Sequence, residues 1–104
     1  MALSIDVSFS GVDPDPSVEA AIHRWVARLE SMRLEVDRAR VRLENARRGR
    51  TTIDLRLSMM DGTVHVATAE RTDIYVAVGD AFRAVWKQNT QRLPVMRQRM
   101  LALA

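Results

Sequence analysis

Ala39, Val41 and Leu43 alternate with Arg38, Arg40 and Arg42; further on, Ile53, Leu55, Leu57 and Met59 alternate with Thr52, Asp54, Arg56 and Ser58. A strict period of two puts all apolar side chains of an extended strand on one face and the polar ones on the other. Between the runs lies NARRGR, whose Gly49 suits a turn. The pattern predicts two antiparallel strands with one apolar face. That face must be covered, so the rest of the chain has to supply the cover.

It does so in two places. Val18, Ile22, Trp25, Leu29 and Met32 recur at helical spacing, predicting an amphipathic helix from Pro16 to about Met32. Asp15 reads as its N-cap, Pro16 as its first residue and Glu19 as an acid in the first turn. A second helix is predicted after the N-cap Asp73, with an inner stripe of Ile74, Val78, Ala81, Phe82, Val85, Trp86, Asn89 and Leu93. Gly79 inside it costs ~1 kcal/mol against alanine, which a close approach to the sheet or the first helix would explain. Pro94 is expected to kink or end this helix, leaving VMRQRMLALA as a short extra helix or a frayed tail.

Two further strands complete the set. Leu3, Ile5, Val7 and Phe9 alternate with Ser4, Asp6, Ser8 and Ser10. After the hairpin signal Asp61-Gly62, a strand runs from Thr63 to about Ala69. In it Val64 and Val66 compete with His65, Ala67 and Ala69 for the inner face. The order is β-α-β-β-β-α. A helix between the first two strands makes them parallel neighbours through a right-handed crossover. The expected fold is α+β: a four-stranded sheet with two helices packed on one face. One domain spanning residues 1–104, with a short tail after Pro94, suits the length.

Charge narrows the function. All sixteen basic residues except Lys87 are arginine, against thirteen acids, for a net charge of +3. Arginine does not titrate away, and its planar fork fits phosphates and carboxylates alike. There is no cysteine, which excludes disulfides, a thiolate zinc site and a cysteine nucleophile. His23 and His65 have no partner at metal spacing, and no catalytic triad or phosphate-cradling glycine loop is visible. MALSIDVSFSG alternates and lacks a basic leader, and no run approaches the ~20 apolar residues of a membrane span. The expectation is a cytoplasmic binding protein with no metal, no cofactor and no membrane or small-molecule partner, rather than an enzyme.

The segment DGTVHVATAERTDIYVAVGDAF, with Asp61-Gly62 and then Asp73-Ile74-Tyr75-Val76-Ala77-Val78, resembles the ribosome hibernation-promoting factors, also called ribosome-associated inhibitor A or sigma-54 modulation proteins. DPSVEAAIHRWVARLESM is similar to the opening of that family's first helix, and the likeness runs from about Leu3 to Leu93. It implies a fold similar to double-stranded-RNA-binding domains. It also implies binding of the small ribosomal subunit, in the channel used by mRNA and tRNA, through basic side chains on 16S rRNA phosphates. Blocked translation and stored ribosomes would follow. The chain resembles the short form of the family, which lacks the dimerising extension, so a monomer or weak homodimer is expected. Arg28 and Lys87 fall on basic positions of the family. Trp25 occupies another such position, and Ala84 and Gln91 replace residues that are commonly lysine or arginine; Arg24, Arg83 and Arg92 lie near these.

The candidate rRNA-binding set is therefore Arg24, Arg28, Arg83, Lys87 and Arg92 on the helices, Arg38, Arg40 and Arg42 on the second strand, and Arg47, Arg48 and Arg50 in the turn. Each has a plainer alternative. Arginines on an open sheet face can serve solubility, with Arg42 neutralised by Asp54 across the hairpin. Arg40 would then oppose Arg56, a like-charge pair that favours an anionic partner. The turn arginines have no acid nearer in sequence than Glu44 and Asp54, yet can simply be solvated. Trp25 and Trp86 are either core or base-stacking residues. Two other functions stay open: the same fold aimed at a non-ribosomal RNA or protein, and an assembly module using Val95, Met96, Met100, Leu101 and Leu103.

Overall fold

A computed structural model describes residues 3–103, with side chains described for residues 3–89. The elements are β1 (Ser4–Ser10), α1 (Pro16–Ser31), β2 (Val36–Asn45), a 3-10 turn (Arg47–Gly49), β3 (Thr51–Met59), β4 (Val64–Arg71) and α2 (Ile74–Leu103). They form the predicted α+β arrangement. The sheet order is β1-β2-β3-β4, with β1 parallel to β2 and the other neighbours antiparallel.

The alternation does what its period requires. Ala39, Val41 and Leu43 of β2 and Ile53, Leu55 and Leu57 of β3 are buried and face both helices. From α1 come Val18, Ala21, Ile22, Val26 and Leu29; from α2 come Ala77, Val78, Ala81, Phe82 and Val85. The inner stripe of α1 thus turns through Ala21 and Val26, and Met32, expected inside, is exposed. The register of β2 shifts between Val36 and Arg38. This bulge at Asp37 lets Val36 and Ala39, an odd number of steps apart, both face inward.

Local chemistry sets the ends. Asp15 accepts a hydrogen bond from the Ser17 N–H at 2.9 Å, and Asp73 accepts from Tyr75 N–H at 2.9 Å, so both predicted caps form. α1 closes with Leu34 N–H on the Leu29 carbonyl and Arg33 N–H on the Glu30 carbonyl. Arg33 takes the left-handed conformation, φ 63°, that this closure demands. The β3–β4 loop turns on Gly62 at φ 89°, with the Thr63 N–H held by Asp61. α2 continues past Pro94 to Leu103 rather than ending there. Proline forfeits one N–H bond, and the strong helix formers that follow carry the helix on. The side chains of Arg92 and of the apolar tail lie outside the described residues. Among the described residues, no helix is long and apolar enough to cross a membrane.

β4 resolves its two-way pattern in favour of His65, Ala67 and Ala69, leaving Val64 and Val66 exposed at 44% and 56%. His65 is buried opposite Leu57, and its Nε2 has no hydrogen-bond partner. A buried, unsatisfied polar nitrogen carries a desolvation penalty that an apolar side chain of similar size avoids. His65→Leu should therefore raise stability by about 1 kcal/mol, which for a domain of this size is a rise of several degrees in melting temperature. Thermal unfolding followed by circular dichroism checks this; a lower melting temperature would show that the imidazole is satisfied in solution.

Candidate nucleic-acid interface

The basic side chains fall into three groups. The first lies where α1 meets α2. Trp25 is half-buried and stacks on Phe82, with ring centroids 5.7 Å apart and planes 8° from parallel. The Arg28 guanidinium lies 5.3 Å from the Trp25 ring centroid and that of Arg83 lies 5.7 Å from it. Two cations from two helices thus share one indole, each drawn to the ring at ~0.5–1 kcal/mol for an exposed pair. Trp25, Arg28, Leu29, Met32, Arg83 and Trp86 line a groove of about 290 Å³ here. Trp25 thus gathers two cations from two helices.

Arg83 is fixed from its far side as well. Its Nη2 donates to Asp80 Oδ1 at 3.0 Å, and Arg71 Nε donates to Asp80 Oδ2 at 2.7 Å. The hydrogen bond from Arg71, then that from Arg83, holds the Asp80 carboxyl below the usual carboxylate range. Gly79 has its reason here. A Cβ at this position would lie 2.9 Å from Arg83 Nη2, so the glycine makes room for the guanidinium, not for the sheet or α1. Arg71, Asp80, Arg83 and Lys87 also line a second groove, of about 440 Å³, between β4 and α2. Arg83 borders both grooves. Arg24 is exposed one turn before Arg28.

The second group lies on the opposite side of the molecule, on the face of the sheet that no helix covers. The register sets Arg40 against Arg56 and Arg42 against Asp54, as the alternation predicts. The ion pairs differ from the predicted one. Arg42 Nη2 lies 2.6 Å from Glu44 on its own strand, and Asp54 accepts from the Thr68 hydroxyl at 3.0 Å. Arg38 pairs with Asp6 of β1 at 3.0 Å. An arginine can reach either diagonal as readily as the residue opposite, so register alone does not choose the partner.

The third group is the β2–β3 turn. Arg47 and Arg48 are exposed, with Arg48 at φ 61°. Arg50 is not free, contrary to its sequence neighbourhood: its Nε lies 3.1 Å from Glu70 Oε2, and Thr52 donates to the same carboxylate. Glu70 stands in β4, the strand next to β3, so only the sheet brings it near. The predicted set is therefore not one surface. Arg28, Arg83 and Lys87 lie on the helical side, Arg38, Arg40 and Arg42 on the other, and Arg92 lies outside the described side chains. Arg71 was absent from the set; it holds Asp80, and nothing in its sequence context points nine residues ahead to that carboxylate.

A four-stranded sheet covered on one face by two helices defines a small α+β domain. The chain belongs to the family described as sigma 54 modulation protein / S30EA ribosomal protein, whose model matches residues 5–90. Among solved structures it is similar to a ribosomal subunit interface protein from Coxiella burnetii, at 19% identity and a TM-score of 0.76, covering 88% of this chain and 98% of that one. It is also similar to the N-terminal domain of Thermus thermophilus Protein Y, at 18% identity and a TM-score of 0.70, covering 82% and 93%. At such identities the likeness speaks for the fold. No curated protein matches the chain.

The Asp80 bridge yields a pH-dependent prediction. A carboxyl whose folded pKa is depressed contributes stability above its unfolded pKa and loses it as pH falls through the folded value. Asp80→Asn should therefore melt below the wild type at neutral pH, and the gap should close as pH drops below about 4. Paired melting curves across that range test it; a gap that stays constant down to the acid limit would show that the carboxylate's charge is not what counts.

Proposed function

We propose that this protein binds the small ribosomal subunit and holds it out of translation, using the α1/α2 cleft to grip 16S rRNA phosphates in the mRNA/tRNA channel. The observation that carries this reading is the pair of guanidiniums, Arg28 and Arg83, set over Trp25 from different helices. An arginine already held in place loses less conformational freedom when it meets a phosphate, so more of the contact energy is kept. Lys87, one turn beyond Arg83, and Arg24, one turn before Arg28, extend the positive strip along both helices. Family membership and the subunit-interface protein of the same fold support a ribosomal partner. A ribosomal partner makes the cytoplasm the place of action, and the work is binding rather than catalysis.

Sedimentation with purified small subunits tests the proposal. The wild type should co-sediment at low and moderate salt and be released as salt rises, because each phosphate contact frees counterions. Arg28→Glu combined with Lys87→Glu should weaken binding by more than about tenfold and flatten the salt dependence by roughly one unit of slope per lost contact. The domain should stay folded, with a melting temperature only a few degrees lower, since both residues are exposed and the Arg28–Trp25 contact contributes ~0.5–1 kcal/mol. Undiminished co-sedimentation of the double variant would remove the cleft from the interface. Equal affinity of the wild type for ribosome-free duplex RNA would move the target away from the ribosome.

A further inference from the structure

We propose that the open face of the sheet is a second RNA-binding surface, separate from the helical cleft, which takes the sugar–phosphate backbone of a single strand. Its centre is the facing pair Arg40 and Arg56.

The allocation of charge on this face leads there. Arg38 is neutralised by Asp6 and Arg42 by Glu44, and the Asp54 carboxylate takes the Thr68 hydroxyl. Arg40 and Arg56 stand directly opposite one another; Arg40 also faces Asp6 of β1, but that carboxylate is taken by Arg38, and among the described residues neither Arg40 nor Arg56 has an ion pair or hydrogen bond through its side chain. Like charges at facing positions destabilise a sheet, and arginine cannot discharge to relieve them. A face that needed only solubility would be served by mixed signs, which its other positions show. An anion between the two guanidiniums converts the repulsion into two charge-assisted contacts.

The shape suits an extended polyanion. Arg38, Arg40, Arg42, Asp54, Arg56 and Val66 are among the residues lining a groove of about 690 Å³ across this face. Along β2 the arginines recur every second residue, roughly 6.5–7 Å apart, a repeat comparable to that of successive phosphates. Val66, exposed beside Arg56 across the β3–β4 ladder, offers an apolar contact to a sugar. No aromatic side chain lies in the groove, so bases are not stacked and the contact reads backbone, not sequence. An acidic peptide fits less well. The backbone groups of β2 and β3 are spent on their neighbours in the sheet, so a peptide lying on the face would find no partners for its own N–H and C=O groups. An RNA backbone makes no such demand.

The test uses the full chain with the cleft disabled, so that the two faces are read separately. Fluorescence anisotropy with a short labelled oligouridylate is measured for Arg28→Glu/Lys87→Glu and for the same variant carrying Arg40→Gln and Arg56→Gln. The first should bind, and the second should bind more than about tenfold more weakly. Equal binding by the two overturns the proposal. So does displacement of the probe by oligoglutamate of matched charge as readily as by unlabelled oligouridylate, which would make an acidic protein the partner. Arg56→Gln alone should weaken RNA binding while raising the melting temperature, because the like-charge pair is gone. Weaker binding together with a lower melting temperature would mean that binding merely follows folding, and would also overturn it. If the wild type fails to sediment with small subunits while the cleft variant still binds oligouridylate, the ribosomal reading falls and the open-face site stands.

Discussion

The burial of one face of the sheet, and only one, is the constraint on which the rest of this molecule depends. Two helices are enough to cover Ala39, Val41, Leu43, Ile53, Leu55 and Leu57, and they leave the other side bare. Because strand side chains alternate, each inward aliphatic commits its neighbours to solvent. Arg38, Arg40, Arg42 and Arg56 are outside for the same reason that Ala39, Val41 and Leu55 are inside. A slip of one residue in the β2–β3 register would exchange the two sets, placing guanidiniums in the core. The core therefore enforces the charged face as strictly as it enforces itself.

On the helical side the corresponding constraint is the stack of Trp25 on Phe82. Phe82 is wholly buried and belongs to the core, whereas Trp25 is half-exposed and belongs to the surface. Their stacking carries the rigidity of the interior to the place where Arg28 and Arg83 sit. The Asp80 carboxylate, shared with Arg71, restrains Arg83 from its far side, in the space that Gly79 leaves. What the cleft gains over a loose cluster of surface cations is position: two charges whose separation is set by packing before any ligand arrives.

Periodicity and punctuation sufficed for the framework. The element order, the facing of β1 to β3, both N-caps, the Arg40–Arg56 register and the Asp61-Gly62 hairpin can all be read from the chain because each follows from local geometry. The side of β4 could not be chosen, since Val64 and Val66 are as apolar as Ala67 and Ala69. Only the packed structure shows the choice: His65, Ala67 and Ala69 face the helices, and Val64 and Val66 face the open side. The ion pairs were less legible still. Arg50 meets Glu70, and Arg71 meets Asp80, through tertiary placement that no spacing encodes. The role of Trp25 was hidden for the same reason: at a position commonly basic it reads as a lost cation, and only the packed helices show that it gathers two.

The use of arginine almost to the exclusion of lysine connects these features. Several of the guanidiniums here tie one element to another. Arg83 lies on an indole and binds a carboxylate; Arg71 crosses from strand to helix; Arg50 reaches across the sheet to Glu70. An ammonium offers neither a flat face to an aromatic ring nor a rigid fork to a carboxylate. These pairs are mostly half-exposed and each contributes little to stability. Their effect is rather to decide which charges are already spoken for. Once Asp6, Glu44, Glu70 and Asp80 are engaged, cations without a carboxylate remain, among the described residues, at the cleft in Arg28, at the turn in Arg47 and Arg48, and at the middle of the open face in Arg40 and Arg56. Although the net charge is only +3, these described cations lie on both sides of one thin sheet.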